Sequence, residues 1–371
     1  MRSRFNVAYV LRSAAAALSA IVALASTTVI AADGPVLPRY PDVQPGVTIA
    51  FPADHGAHPD FRTEWWYVTG WLNTPDGRAL GFQVTFFRSR PDVDQRNPSA
   101  FAAKQILFAH AALSDPAVGK LLHDQRAARA GFGLAEASTA DADITLDDWS
   151  LKRGADGAFH AKARAAEFSL DLVFTPKQFA LIEGDNGYSR KGPLATEASY
   201  YYSLPHLDVS GNVQRGGRSE TVTGTAWLDH EWSSALFDPK AVGWDWVGLN
   251  LDDGGALMAF QMRDAAGGVI WAGGSLRGAG GEVTRFAPQD VRLTTERNWR
   301  SPRTDAIYPV ERTLAIRLPA GERQWRIVPL FDDQELDSRA GGGPVYWEGA
   351  VRVPGGRGYL ELTGYLQPLK L

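Results

Sequence analysis

The chain has 371 residues, 44% of them hydrophobic and 22% charged, which is enough for roughly two domains with cores of their own. A formal net charge of −4, with 38 Lys and Arg scattered along the chain, leaves no basic footprint for nucleic acid. The absence of cysteine excludes a disulfide framework, a thiolate zinc site and a cysteine nucleophile.

At the N-terminus, Arg2, Arg4 and Arg12 precede an apolar run from Ala14 to Ala25, and Ala31 and Ala32 offer a small-residue cleavage site. Residues 1–32 are therefore predicted to be an export signal, and the mature protein to be periplasmic or secreted. The run is shorter than the roughly 20 residues of a membrane span, so no transmembrane segment is expected after its removal. Beyond it, strand signals dominate. Ala79 to Phe87 and Phe168 to Phe174 alternate apolar and polar residues and are rich in Val, Thr and aromatics. Asn73 to Gly77 and Asp252 to Gly255 read as hairpin turns. Ala127 to Ala137 suits a short helix. Several antiparallel strands per repeat of roughly 170 residues suggest a sandwich or an up-and-down barrel.

The chain contains an internal repeat. Glu64-Trp65-Trp66-Tyr67-Val68-Thr69-Gly70 and Leu80 to Val84 are matched by Val242 to Gly248 and Met258 to Met262, and an ungapped alignment sets Trp66 on Trp244 and Gln83 on Gln261. Phe108 to Leu113 resembles Trp271 to Leu276, with His110 set on Gly273; Tyr202 to Gly211 resembles Trp347 to Gly356, and Thr223-Gly224 resembles Thr363-Gly364. The shared order of these matches predicts two copies of one domain, over 45–234 and 235–371.

Standard hydrolase chemistry is absent from the pattern. There is no Gly-x-Ser-x-Gly elbow, and His230-Glu231-Trp232-Ser233-Ser234 lacks the second histidine of a zincin. No phosphate-cradling loop appears, and no cofactor is expected. Asp54, His55, His58 and Asp60 lie close together, but in a loop whose spacing matches no strong metal template, so no metal is expected.

Four segments carry a family resemblance: His58 to Gly70, Gly184 to Gly192, Ser199 to Ser203, and Gly224-Thr225-Ala226-Trp227-Leu228-Asp229-His230-Glu231-Trp232. In this order they closely resemble the AttH-like family, which includes the carotenoid hydratases (hydroxyneurosporene synthases). The resemblance implies an all-β fold of two tandem lipocalin-like antiparallel barrels, small apolar isoprenoid or lipid-like ligands, and, from the family's occurrence, an ABC exporter as an alternative partner. It also implies an active-site role for His230 and Trp232, which match a His-x-Trp pair of the hydratase branch and share one face of an extended strand. The hydratases' neighbouring Tyr and Asp are missing from Ala259 to Arg263, leaving Asp245 on the adjacent strand as the substitute proton donor. Glu64 is a second candidate acid, with an ion pair to Arg62 or another Arg as the competing reading. Hydration of a C=C bond needs such a donor, an indole face for positive charge and a placed water. Trp65, Trp66, His110, Tyr201, Tyr202 and Trp244 are expected nearest the ligand, in the first barrel or at the seam between barrels. Whether the ligand is transformed or only carried stays open.

Overall fold

A computed structural model describes residues 35–369 except Leu236; the expected export segment lies outside the described residues. Among the described residues no helix is long and apolar enough to cross a membrane. The chain is all-β, apart from short 3₁₀ turns, and forms two antiparallel sheets in succession.

The first sheet contains β1 (Thr63–Asn73), β2 (Ala79–Ser89), β3 (Ile106–Ser114), β4 (Leu121–Arg129), β5 (Ala135–Ala137), β6 (Asp143–Leu146), β7 (Trp149–Arg153), β8 (Phe159–Arg164), β9 (Phe168–Thr175), β10 (Leu181–Ile182), β11 (Tyr188–Arg190), β12 (Ala198–Arg215) and β13 (Arg218–Ala235). The second contains β14 (Ala241–Leu251), β15 (Ala256–Asp264), β16 (Val269–Arg277), β17 (Val283–Phe286), β18 (Val291–Arg300), β19 (Ile307–Leu318), β20 (Gly321–Pro329), β21 (Glu335–Asp337), β22 (Val345–Val353) and β23 (Gly356–Leu362). Both predicted strands and both predicted turns are present; Gly77 and Gly254 take the positive φ, 83° and 88°, that the turns demand. The expected helix over Ala127 to Ala137 is wrong: those residues end β4, turn at Gly131 to Gly133 and enter β5. Its small apolar residues line a sheet edge, where pairing with β3 and β6 overrides helix propensity.

The strand orders show the duplication directly. The first sheet runs β4-β3-β2-β1-β13-β12-β9-β8-β7-β6-β5 and the second β17-β16-β15-β14-β23-β22-β20-β19-β18, so β1 takes the place of β14 and β13 that of β23. The first sheet curls into a nearly closed barrel, its edge strands β4 and β5 linked by a short turn that carries the Gly131–Ala135 bridge. Each sheet surrounds a packed core: Trp66, Phe82, Trp149 and Phe174 lie in the first, and Tyr308, Trp325, Trp347 and Leu360 in the second. A third cluster, with Tyr67, Trp71, Trp227, Trp246, Phe260 and Tyr359, fills the seam between the outer walls of the two barrels.

One detail of the repeat needs correction. Trp66 belongs to the interior of the first barrel, whereas Trp244 packs in the seam. The ungapped alignment therefore pairs opposite faces. Gln83 faces the seam, while Gln261 turns inward to Asp245. An alignment slip of one residue reverses every side chain of a strand, so the repeat is correct in strand order but odd in register at β1/β14 and β2/β15.

Candidate functional site

The period-2 alternation of β1 and β13 divides the predicted residues between two environments. Glu64, Trp66, His230 and Trp232 point into the first barrel; Trp65, Tyr67, Asp229 and Glu231 point into the seam.

The inward set forms a closed polar knot. Glu64 is fully buried and accepts from Arg88 Nε at 2.7 Å, with His58 Nδ1 at 2.7 Å and His230 Nε2 at 2.9 Å from its other oxygen. Its ion-pair partner is thus Arg88; Arg62 instead pairs with Asp92 on the surface. His58 Nε2 lies 3.1 Å from Asp54, and its ring stacks on Trp232 at 3.8 Å. His230 stacks on Trp66 at 4.7 Å, and its Nδ1 meets the Asp54 carbonyl and the Tyr202 hydroxyl, which also bonds His55. Burial would raise the Glu64 carboxyl, but hydrogen bonds from His230 and His58 and the Arg88 charge hold it well below the usual range. Burial pushes the His230 imidazole down. Asp229 and Glu231 do not orient His230; Glu64 and the Asp54 backbone do. His58, Glu64 and His230 are the donor group among the described residues compact enough to suggest a metal, yet their mutual contacts are hydrogen bonds, with a guanidinium already on the same carboxylate.

Asp245 is equally committed. It faces the interior of the second barrel, fully buried between Arg263 and Arg312 at 2.8 Å each, and also accepts from Gln261 and Tyr365. Burial alone would raise this carboxyl; the two guanidiniums lower it. An ionised, doubly paired carboxylate is a poor proton donor.

The seam holds a cavity of about 350 Å³. Trp65, Phe87, Phe108, Trp244, Trp246, Phe260 and Met262 give it aromatic and apolar walls, with Asp229, Glu231, Lys191, His110, Tyr346 and Glu361 among them. Trp65, His110 and Trp244 are therefore at the cavity, and Tyr201 lies just behind it; Trp66 and Tyr202 belong to the inward set. His230 and Trp232 do not reach it.

The carboxyl groups of the seam lack the cations found inside. Asp229 accepts from Tyr201 Oη, Ser203 Oγ and Trp227 Nε1, each at 2.6 Å, and burial outweighs these donors to push it up to about 7. Glu361 is held at one oxygen by Trp244 Nε1 at 2.8 Å, and is likewise raised to about 7 by burial, with Asp229 and Glu231 adding repulsion. Glu348, fully buried beside it on β22, accepts the Tyr67 hydroxyl at 2.6 Å and is raised further. Glu231 is the exception, paired with Lys191 at 3.0 Å. Sequence reasoning missed Tyr67, Lys191, Asp229, Glu231, Tyr346 and Glu361. The alternation around Trp65 and His230 was the available signal, because it predicts that neighbours of an inward residue face out.

The AttH-like family profile matches residues 42–365. A crystal structure of a protein assigned to AttH from Nitrosomonas europaea is 55% identical, with a TM-score of 0.83, covering 88% of this chain and all of that one. Kievitone hydratase from Nectria haematococca shares the fold at 14% identity and a TM-score of 0.66, over 90% of this chain and 98% of that one. CghA in complex with Sch210972 is similar at 11% identity and a TM-score of 0.50, over 81% and 88%. No protein of curated function matches the chain in sequence. With most of its length matched by one family profile and 55% identity to that AttH structure over 88% of the chain, the chain belongs to the AttH-like family.

Proposed function

We propose that this chain is an exported protein that binds a small, largely apolar ligand, isoprenoid or lipid-like, in the seam between its barrels, and adds water to, or removes it from, a carbon–carbon bond there. The observation that carries this reading is Glu361. It lies on the wall of an aromatic cavity, one oxygen is fixed by Trp244, and its carboxyl is poised near 7 by burial and unpaired with any cation. In the hydration direction Glu361 gives its proton to one alkene carbon, and the indole faces of Trp65, Trp244 and Trp246 flank the cation that forms on the other. Water adds to that carbon and loses its proton to Asp229. Three donated hydrogen bonds favour the ionised form of Asp229, which suits it to the base role, whereas Glu361 has one. The occurrence of this fold in a kievitone hydratase supports the reaction class.

The test is incubation with a panel of acyclic isoprenoids and unsaturated lipids, read by mass spectrometry for gain or loss of water. Glu361→Gln is expected to lower turnover at least about a hundredfold while leaving binding within a few-fold. Since the acid must be protonated and the base ionised, turnover should peak near pH 7 and fall on both sides. Saturable binding with no product from any member of the panel would instead favour a ligand carrier. No binding, together with a protein partner in pull-down, would favour the transport-accessory reading.

A further inference from the structure

One corner of the seam cavity is built for a polar group of the guest. His110 on β3, Gln83 on β2 and Tyr346 on β22 all line it and are 1–4% exposed. His110 Nδ1 lies 2.8 Å from the Tyr346 hydroxyl; Gln83 Nε2 lies 3.2 Å from the same hydroxyl and 3.1 Å from Thr85 Oγ1. Burial keeps the His110 ring neutral, its pKa pushed down to about 3. With Nδ1 bare, the ring accepts a hydrogen bond from the phenol O–H, and the phenol oxygen then accepts one Gln83 N–H. The second N–H goes to Thr85. Both amide hydrogens are spent, and Gln83 Oε1 is a buried acceptor with no partner in the protein. A buried carbonyl left unpaired is costly, so a site holding one discriminates strongly for a ligand that supplies a donor.

We propose that the seam ligand carries a hydroxyl group, alcohol or phenol, that donates to Gln83 Oε1, making Gln83 a specificity-determining residue. This rests on the seam being the ligand site. Asp229 and Gln83 lie two strands apart across β1, in neighbouring rows of the same face, which places the hydroxyl roughly 10 Å from the base. The guest is therefore amphipathic, with a reactive apolar middle and a hydroxyl end.

The experiment titrates the protein with farnesol and with farnesyl methyl ether, which keeps the oxygen but lacks the donor, and follows tryptophan quenching. Wild type is expected to bind farnesol at least about tenfold more tightly. Gln83→Met, close in shape, should bring the two probes within twofold while the melting temperature stays near wild type. Tyr346→Phe, which releases one anchor of the amide, should erode the preference partially. Equal affinity of wild type for both probes, a reversed preference, or a preference that survives Gln83→Met would overturn the hydroxyl assignment alone. Failure of both probes to bind saturably would overturn the seam site and this inference together.

Discussion

Asp229 and His230 are adjacent in sequence and sit in opposite chemical regimes. The inward face of β1 and β13 gathers Glu64, His58, His230 and Arg88, where every charge has a counter-charge and the carboxyl is held down. The outward face gathers Asp229, Glu361 and Glu348, whose partners are neutral hydroxyl and indole donors, and whose carboxyls are pushed up. Both faces are dry. What separates them is whether a guanidinium shares the face, and the comparison shows how burial alone makes an acid while burial with a cation makes a clamp.

The largest expected effect breaks the clamp. Arg88→Met leaves Glu64 charged and buried without its guanidinium, and should cost about 3–5 kcal/mol in denaturant unfolding while the remaining folded protein binds ligand normally. A loss below about 1 kcal/mol would mean the two histidines already neutralise Glu64. A second variant strains the seam. Gly81 faces Ala350 and Tyr359 of the other barrel, and an added Cβ would lie 2.7 Å and 2.6 Å from their atoms. Gly81→Leu should destabilise by about 1–3 kcal/mol and, unlike Arg88→Met, also weaken binding. The mildest intervention is a change of pH, whose effect on stability has opposite signs on the two faces. The raised seam carboxyls stabilise the fold fully below about pH 4, and that contribution is lost as pH climbs towards 7. The lowered Glu64 contributes above about pH 4 and loses its contribution on acidification. The double variant Asp229→Asn, Glu361→Gln should reduce the decline between pH 5 and pH 7, leaving the part that Glu348 contributes, without changing the acid limb.

The repeat, the strand-rich class and the turns could be read from sequence because each depends on local pattern: alternation, Asp-Gly turns, and segments recurring in order. The face of each strand was also accessible in principle. Glu64 and Trp66 must lie opposite Trp65, yet the sequence reading places all three near one ligand, because tryptophan looks alike on either side of a sheet. His230 drew attention as the conventional acid–base residue, whereas Asp229 and Glu361 owe their properties to missing cations, and an absence in three dimensions leaves no mark in a one-dimensional pattern. The pairing of Arg88 with Glu64 and of Arg312 with Asp245 spans 24 and 67 residues, beyond any local spacing rule.

Since the cavity is enclosed by the outsides of two barrels, neither half owns a complete pocket. A guest held there would touch both halves, so its retention would depend on how the halves pack together and not on one lumen alone. Cutting the short connection between Ala235 and Ala241 would make pocket assembly bimolecular, so that guest capture by the severed halves becomes dependent on protein concentration.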